Sequence, residues 1–129
     1  MELITQTLLC LAMNVYHEAR SEDLNGQVAV AEVTLNRVNS SKYPDNVCDV
    51  VWQRKQFSWT LDGKSDVPKD EQAWRRAKLV AWYAMESDSR KVVGYGVTHY
   101  HADYVQPYWT TSFERVAKIG THIFYRSET

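Results

Sequence analysis

Cysteine, proline and glycine are all scarce: two, three and five residues in a chain of 129. No repeat, low-complexity tract or linker is visible, and the length suits one domain with a real core, here read as a single domain over 1–129. A dominant charge is missing too. Fifteen Lys and Arg against sixteen Asp and Glu leave a formal net charge of -1, so no basic field points to nucleic acid. The longest apolar stretch, Leu8 to Val15, is interrupted by Asn14 and is too short to span a bilayer, so no stable membrane insertion is expected. No Lys or Arg precedes that stretch and Glu2 does, which argues against a signal-peptide core. The chain is therefore expected to be made in the cytoplasm without an export signal. Cys10 lies inside this run beside apolar residues, so a buried free thiol is expected rather than a bridge to Cys48.

What is plentiful is aromatic: five Trp and eight Tyr. Such side chains serve flat, partly polar partners such as sugars, and they also build cores. The remaining composition, 44% hydrophobic and 24% charged, is ordinary for a globular protein.

Periodicity gives mostly helices. Ile4, Leu8, Leu11 and Val15 step by four, three and four along one stripe, and the next step of three lands on Glu18. A carboxylate thus continues a face that should be buried. Burial disfavours its charged form and raises its pKa, as a general acid for glycoside cleavage needs. The plainer reading is a helix-end glutamate in solvent or paired with Arg20. A second helix is expected over Leu24 to Val38, with a stripe of Leu24, Val28, Ala31, Leu35 and Val38 and with Ser21 or Asp23 as its cap. A shorter helix over Val47 to Gln53 follows, capped by Asp45 or Asn46. Pro68-Lys69-Asp70 opens another, with Ala73, Ala77, Val80 and Ala84 inward. From Val92 to Tyr104 the β-branched and aromatic content predicts short strands or an extended loop, and Val116 to Tyr125 a strand or turn-strand.

Three constellations carry chemistry. Glu18 and Glu32 form a candidate carboxylate pair, since many glycosidases place two acids across the scissile bond; the plainer reading of Glu32 is a solvated helix residue. His99 and His101 share one face of a strand, with His17, Asp103 or His122 as a candidate third metal ligand. Two-residue His spacing recurs by chance, so the preferred role there is cleft lining or structural hydrogen bonding, and no metal or other cofactor is assigned. Gln56, Phe57 and Ser58, together with Tyr104, Tyr108 and Trp109, set amides and hydroxyls beside aromatic faces, as a saccharide groove does; for Phe57 alone core packing is preferred. No glycine elbow surrounds Ser58, neither cysteine sits in a basic setting, and no phosphate-cradling loop is present.

Several runs resemble, in order, the cell-wall hydrolase family of the spore-cortex-lytic transglycosylases. They are Tyr16-His17-Glu18-Ala19-Arg20, Gly26-Gln27-Val28-Ala29-Val30-Ala31 and Leu35-Asn36-Arg37-Val38, then Tyr43-Pro44, Val50-Val51-Trp52-Gln53 and Gln56-Phe57-Ser58. His99-Tyr100-His101 through Pro107-Tyr108-Trp109 resembles the family's aromatic block, and Lys118 to Phe124 its closing block. The block before the aromatic segment departs from the family's Gly-Ala start, with Gly96-Val97-Thr98 in its place.

The resemblance implies a mainly α (α+β), lysozyme-like fold with a small β-hairpin or extended segment in the C-terminal third. It implies cleavage of the β-1,4 bond between N-acetylmuramic acid and N-acetylglucosamine in peptidoglycan glycan strands. Glu18 corresponds to the family's catalytic glutamate, the position that helical spacing reaches independently. Tyr100 and His101 join Gln56, Phe57, Ser58, Tyr104, Tyr108 and Trp109 as expected substrate-binding residues. The family has no obligatory second acid, which favours a lytic transglycosylase over lysozyme-type hydrolysis. A single catalytic domain without a signal resembles a bacteriophage endolysin, a monomer that reaches the cell wall through a separate permeabilising, holin-like partner. Two other classes stay in view: a non-catalytic glycan-binding module, and a metal-dependent amidase using His99, His101 and Asp103.

Overall fold

The computed structural model describes residues 2–53, 67–87 and 90–127. Its elements in chain order are α1 (Glu2–Ala19), α2 (Leu24–Val38), α3 (Val47–Val51), α4 (Glu71–Ser87), β1 (Val97–Ala102), a 3-10 turn (Tyr108–Thr111), β2 (Glu114–Ile119) and β3 (His122–Arg126). The mainly helical, lysozyme-like class expected above is what the chain adopts. The C-terminal third holds more than a hairpin: β3 is the centre of an antiparallel sheet ordered β1-β3-β2.

Helix ends follow the local chemistry. Asn46 caps α3 by accepting the Asp49 N–H at 2.9 Å. The Asp70 carboxylate accepts the Ala73 N–H at 3.0 Å and starts α4. The Tyr16 hydroxyl accepts the N–H groups of Lys69 and Asp70, each at 3.1 Å, so the end of α1 holds the entry to α4. Asp23 occupies the N-cap of α2 without a side-chain bond.

Two apolar clusters share α2. Leu11, Val15, Val51 and the inward alanines of α4 pack with Ala31 on one side; Val30, Val33, Val97 and Phe124 pack on the other. The expected α4 stripe is the observed one, with Ala73, Ala77, Val80 and Ala84 buried. The expected α2 stripe is corrected. Leu24 is exposed and Val28, Leu35 and Val38 are only half-buried, while Ala29, Val30 and Val33 are fully covered. A helix wedged between other helices and a sheet is covered nearly all round, and no single stripe describes it.

The cysteine expectation is also corrected. Cys10 and Cys48 form a disulfide that ties α1 to α3, with Cα atoms 5.2 Å apart. Both residues are half-buried at the helix contact. An apolar neighbourhood in sequence does not report that another helix brings a second thiol opposite.

Side chains of α2 fix the segment that leads into β1. The Glu32 carboxylate accepts the N–H groups of Val92 and Val93, the latter at 2.9 Å. One turn on, Asn36 donates to the carbonyls of Gly94 and Val97, both at 2.9 Å, and Arg37 donates to that of Thr98 at 2.8 Å. Backbone groups ahead of β1 and at its first residues are thereby satisfied. The register of β1, and with it the position of Tyr100, is set from α2.

Candidate active site

Glu18 stands in the last turn of α1, half-buried. Opposite it on β1, Tyr100 points toward the helices, while His99 and His101 point to the other face, as alternation requires. The Tyr100 hydroxyl donates to Glu18 Oε1 at 2.5 Å. The Asn14 amide donates to Thr34 Oγ1 at 3.3 Å and also hydrogen-bonds the Tyr100 phenol. Arg37, buried at the end of α2, completes the group, its guanidinium 5.1 Å from the centroid of the Tyr43 ring.

The electrostatics oppose one another. Burial pushes the Glu18 carboxyl above its ordinary value; the Tyr100 hydrogen bond and the positive charge of Arg37 pull it back, and burial wins. Tyr100 is held well above the ordinary phenol range by its own burial and by Glu18 beside it, so it stays a donor. Arg20 does not pair with Glu18. Its guanidinium lies 4.9 Å from the centroid of the Tyr16 ring.

The other expected site residues divide. Glu32 is 2% exposed and its carboxylate is held by backbone N–H groups, so it is neither a cleft acid nor a solvated one. The reason is tertiary: the 92–98 segment packs over α2 and brings unpaired amides to it. His101 is buried, Nδ1 meeting the Ala102 carbonyl at 2.7 Å and Nε2 the Tyr125 hydroxyl at 2.9 Å, which leaves no ring nitrogen for a ligand. Trp109 packs into a cluster with His99, Phe113 and Tyr125 at centroid distances of 4.9, 5.9 and 5.2 Å. Tyr104 and Tyr108 are 85% and 93% exposed. Gln56, Phe57 and Ser58 lie outside the described residues. Burial, with the charges of Arg37 and Lys42, lowers the His99 pKa to about 4, so the ring is neutral at physiological pH.

Among the described residues no group of three His, Cys, Asp or Glu is arranged to hold a metal ion. Asp103, one of the three candidate third ligands, pairs with Lys118 at 3.2 Å. No described helix is long and apolar enough to cross a membrane. A cavity of about 690 Å3 lies between α2 and α4, lined by Leu24, Val28, Leu79, Val80 and Tyr83 among others, but neither Glu18 nor Tyr100 lines it.

Sequence reasoning alone does not single out Arg37 and Asn14 as residues beside Glu18. For Asn14 the signal is the polar break in the longest apolar stretch; Arg37, in a helix that also carries Gln27, Glu32 and Asn36, has no comparable local signal.

Residues 21–125 match the sequence pattern of the family described as Cell Wall Hydrolase. The chain belongs to that family. Glu18 lies three residues before the matched stretch. Among curated relatives, the spore cortex-lytic enzyme of Halalkalibacterium halodurans is 40% identical over 115 residues, 88% of this chain and 33% of that protein. The enzyme of the same name from Bacillus subtilis is 33% identical over 114 residues, covering 88% of this chain and 35% of its own length. The chain thus spans about a third of those relatives. Among solved structures, the catalytic domain of the germination-specific lytic transglycosylase SleB from Bacillus anthracis superposes with a TM-score of 0.77 at 31% identity, covering 93% of each chain. The corresponding domain from Bacillus cereus gives 0.73 at 31% identity, covering 94% of this chain and 91% of that one.

Proposed function

We propose that this cell wall hydrolase family member is a peptidoglycan glycosidase, and that it cuts the β-1,4 bond between N-acetylmuramic acid and N-acetylglucosamine as a lytic transglycosylase, with Glu18 as both acid and base. The observation that carries the reading is the setting of Glu18: a half-buried carboxyl whose pKa burial raises, bonded on one oxygen by Tyr100. Kinship with enzymes named for cortex lysis and lytic transglycosylation supports the substrate class.

Protonated Glu18 gives its proton to the glycosidic oxygen. The bond from that oxygen to the muramic acid C1 breaks, its electron pair leaves with the oxygen of N-acetylglucosamine, and positive charge develops at C1. The carboxylate then takes the proton of the C6 hydroxyl, whose oxygen closes on C1. The product is a 1,6-anhydro sugar, Glu18 is protonated again, and no water is consumed. Among the described residues no second carboxylate faces Glu18, because Glu32 is committed to the backbone. That favours ring closure by the sugar's own hydroxyl over a water-activating second acid. Exposed Tyr104 and Tyr108 are the aromatic faces offered to glycan, and the half-buried Trp109 supports them.

The test is mass spectrometry of fragments released from purified sacculi in water enriched in 18O, with and without EDTA. Anhydro ends free of the label, insensitive to EDTA, are expected. Labelled reducing ends would mean hydrolysis, EDTA-sensitive peptide cleavage an amidase, and no release a binding module.

A further inference from the structure

We infer that Tyr100 is a positioning residue that assigns the two oxygens of Glu18 different roles, leaving Oε2 to carry the proton toward substrate and Oε1 to stay bonded to the phenol throughout. The inference rests on Glu18 being the acid, as proposed above, and adds how one carboxyl serves twice.

The argument is hydrogen-bond accounting. A phenol has one hydrogen and an oxygen that accepts. The Asn14 amide nitrogen donates to Thr34 Oγ1, so the donating end of Asn14 faces this region, and Asn14 also bonds the Tyr100 phenol. With its oxygen taken by Asn14, the phenol directs its single hydrogen to Glu18 Oε1, 2.5 Å away. An oxygen that accepts such a bond is the carbonyl oxygen of the neutral acid, so the acid hydrogen belongs on Oε2. Among the described residues nothing bonds Oε2. After proton donation the same phenol bond meets a full negative charge and strengthens, as bonds to ionised acceptors do. The carboxylate is thus supported in the interval before it takes the C6 hydroxyl proton.

The phenol cannot swing away. Tyr100 packs against the rings of His122 and Phe124, at centroid distances of 5.2 and 5.4 Å, and its strand is fixed to α2 by Asn36 and Arg37. The charged and titratable groups around Glu18 are Tyr100 from β1, Arg37 from α2 and His17 from α1 itself. His122 stands behind Tyr100, with Glu22 3.7 Å from His122 Nδ1. Of these, Tyr100 bonds the carboxyl directly and Arg37 acts on it through space.

The test compares wild type, Tyr100→Phe and a protein with a fluorinated, more acidic tyrosine placed at position 100 alone. The pH dependence of kcat and KM on purified sacculi is read beside a 13C titration of the Glu18 carboxyl and a melting curve. Tyr100→Phe removes the bond that favours the carboxylate, so the Glu18 titration and the alkaline limb of kcat should both move up by about one pH unit. Its kcat should fall with KM little changed. The fluorinated residue donates more strongly and should move both downward. A Tyr100→Phe limb that stays in place, or a loss confined to KM or to melting temperature, overturns the inference. Should Tyr100→Phe fail to fold, the downward shift with the fluorinated residue decides alone, and its absence overturns the inference. Glu18→Gln is the control. If it stays active the parent reading fails; if it is inactive while the limb never moves, only the role of Tyr100 fails.

Discussion

Two carboxylates, one in the last turn of α1 and one halfway along α2, meet burial in different ways. Glu32 is sealed and bonded by the N–H groups of Val92 and Val93. Glu18 is half-buried and bonded by one phenol, with a distant guanidinium as its only described counter-charge. A buried charge that backbone amides hold on both oxygens is a structural part. One that is desolvated but held on a single oxygen is poised to change protonation state. The difference lies in what the surrounding chain leaves open, and burial alone does not separate the two.

The largest expected effect breaks the comparison on the Glu18 side. Glu18→Gln keeps the shape and removes the acid, so the rate of peptidoglycan cleavage should fall by roughly a hundredfold or more. Its melting curve should match wild type. Near-normal lysis by the folded variant would put Glu18 in the same class as Glu32.

The Cys10–Cys48 bridge belongs with the structural side. Replacing both cysteines by Ser opens a crosslink across 38 residues and should cost about 2–4 kcal/mol in chemical denaturation. The rate per folded molecule at low temperature should stay near wild type. A loss of rate without loss of stability would show that the bridge shapes the site instead.

Glu32→Gln sharpens the contrast. It turns one of the two acceptor oxygens into a donor facing backbone N–H groups, at a cost of about 1–3 kcal/mol. Urea titration should show that loss while the cleavage rate of the folded fraction is kept. If the rate falls in step with Glu18→Gln, the second carboxylate takes part after all.

The smallest effects fall on the aromatics. Tyr108→Ala should change stability by no more than about 0.5 kcal/mol, because the ring is exposed. Binding of inactive Glu18→Gln protein to sacculi should nevertheless weaken. Trp109→Ala should cost about 1–3 kcal/mol, since it opens a cluster with His99, Phe113 and Tyr125. Unchanged sacculus binding by the Tyr108 variant would remove it from the groove.

Much of this is legible in the sequence. Spacing alone placed Glu18 at the buried end of α1, and α2 runs over the residues expected, Leu24 to Val38. Local rules reach that far because a helix repeats its own face. They stop where a contact joins distant segments. Nothing near Glu32 in sequence announces that the amides of Val92 and Val93 cover it, and nothing near Cys10 announces Cys48. His101 and Trp109 carry the same lesson. Their aromatic, polar character suits a groove, yet pairing of β1 with β3 sets His101 against Tyr125 and draws Trp109 into the same cluster. Tyr100 is expected from the family resemblance as a substrate-binding residue; its hydrogen bond to Glu18 is not legible in the sequence, because it depends on how distant segments pack.

The central claim is that Glu18 donates a proton held at a raised pKa, and the pH dependence of cleavage on purified sacculi tests it most directly. The acid form must be present for the first step, so the rate should fall as pH rises through the raised Glu18 value. The optimum is expected between about pH 5 and 7, where the acid is still populated near working pH. A rate that keeps climbing to about pH 9 would contradict the account, because the acid form of Glu18 can only decline as pH rises.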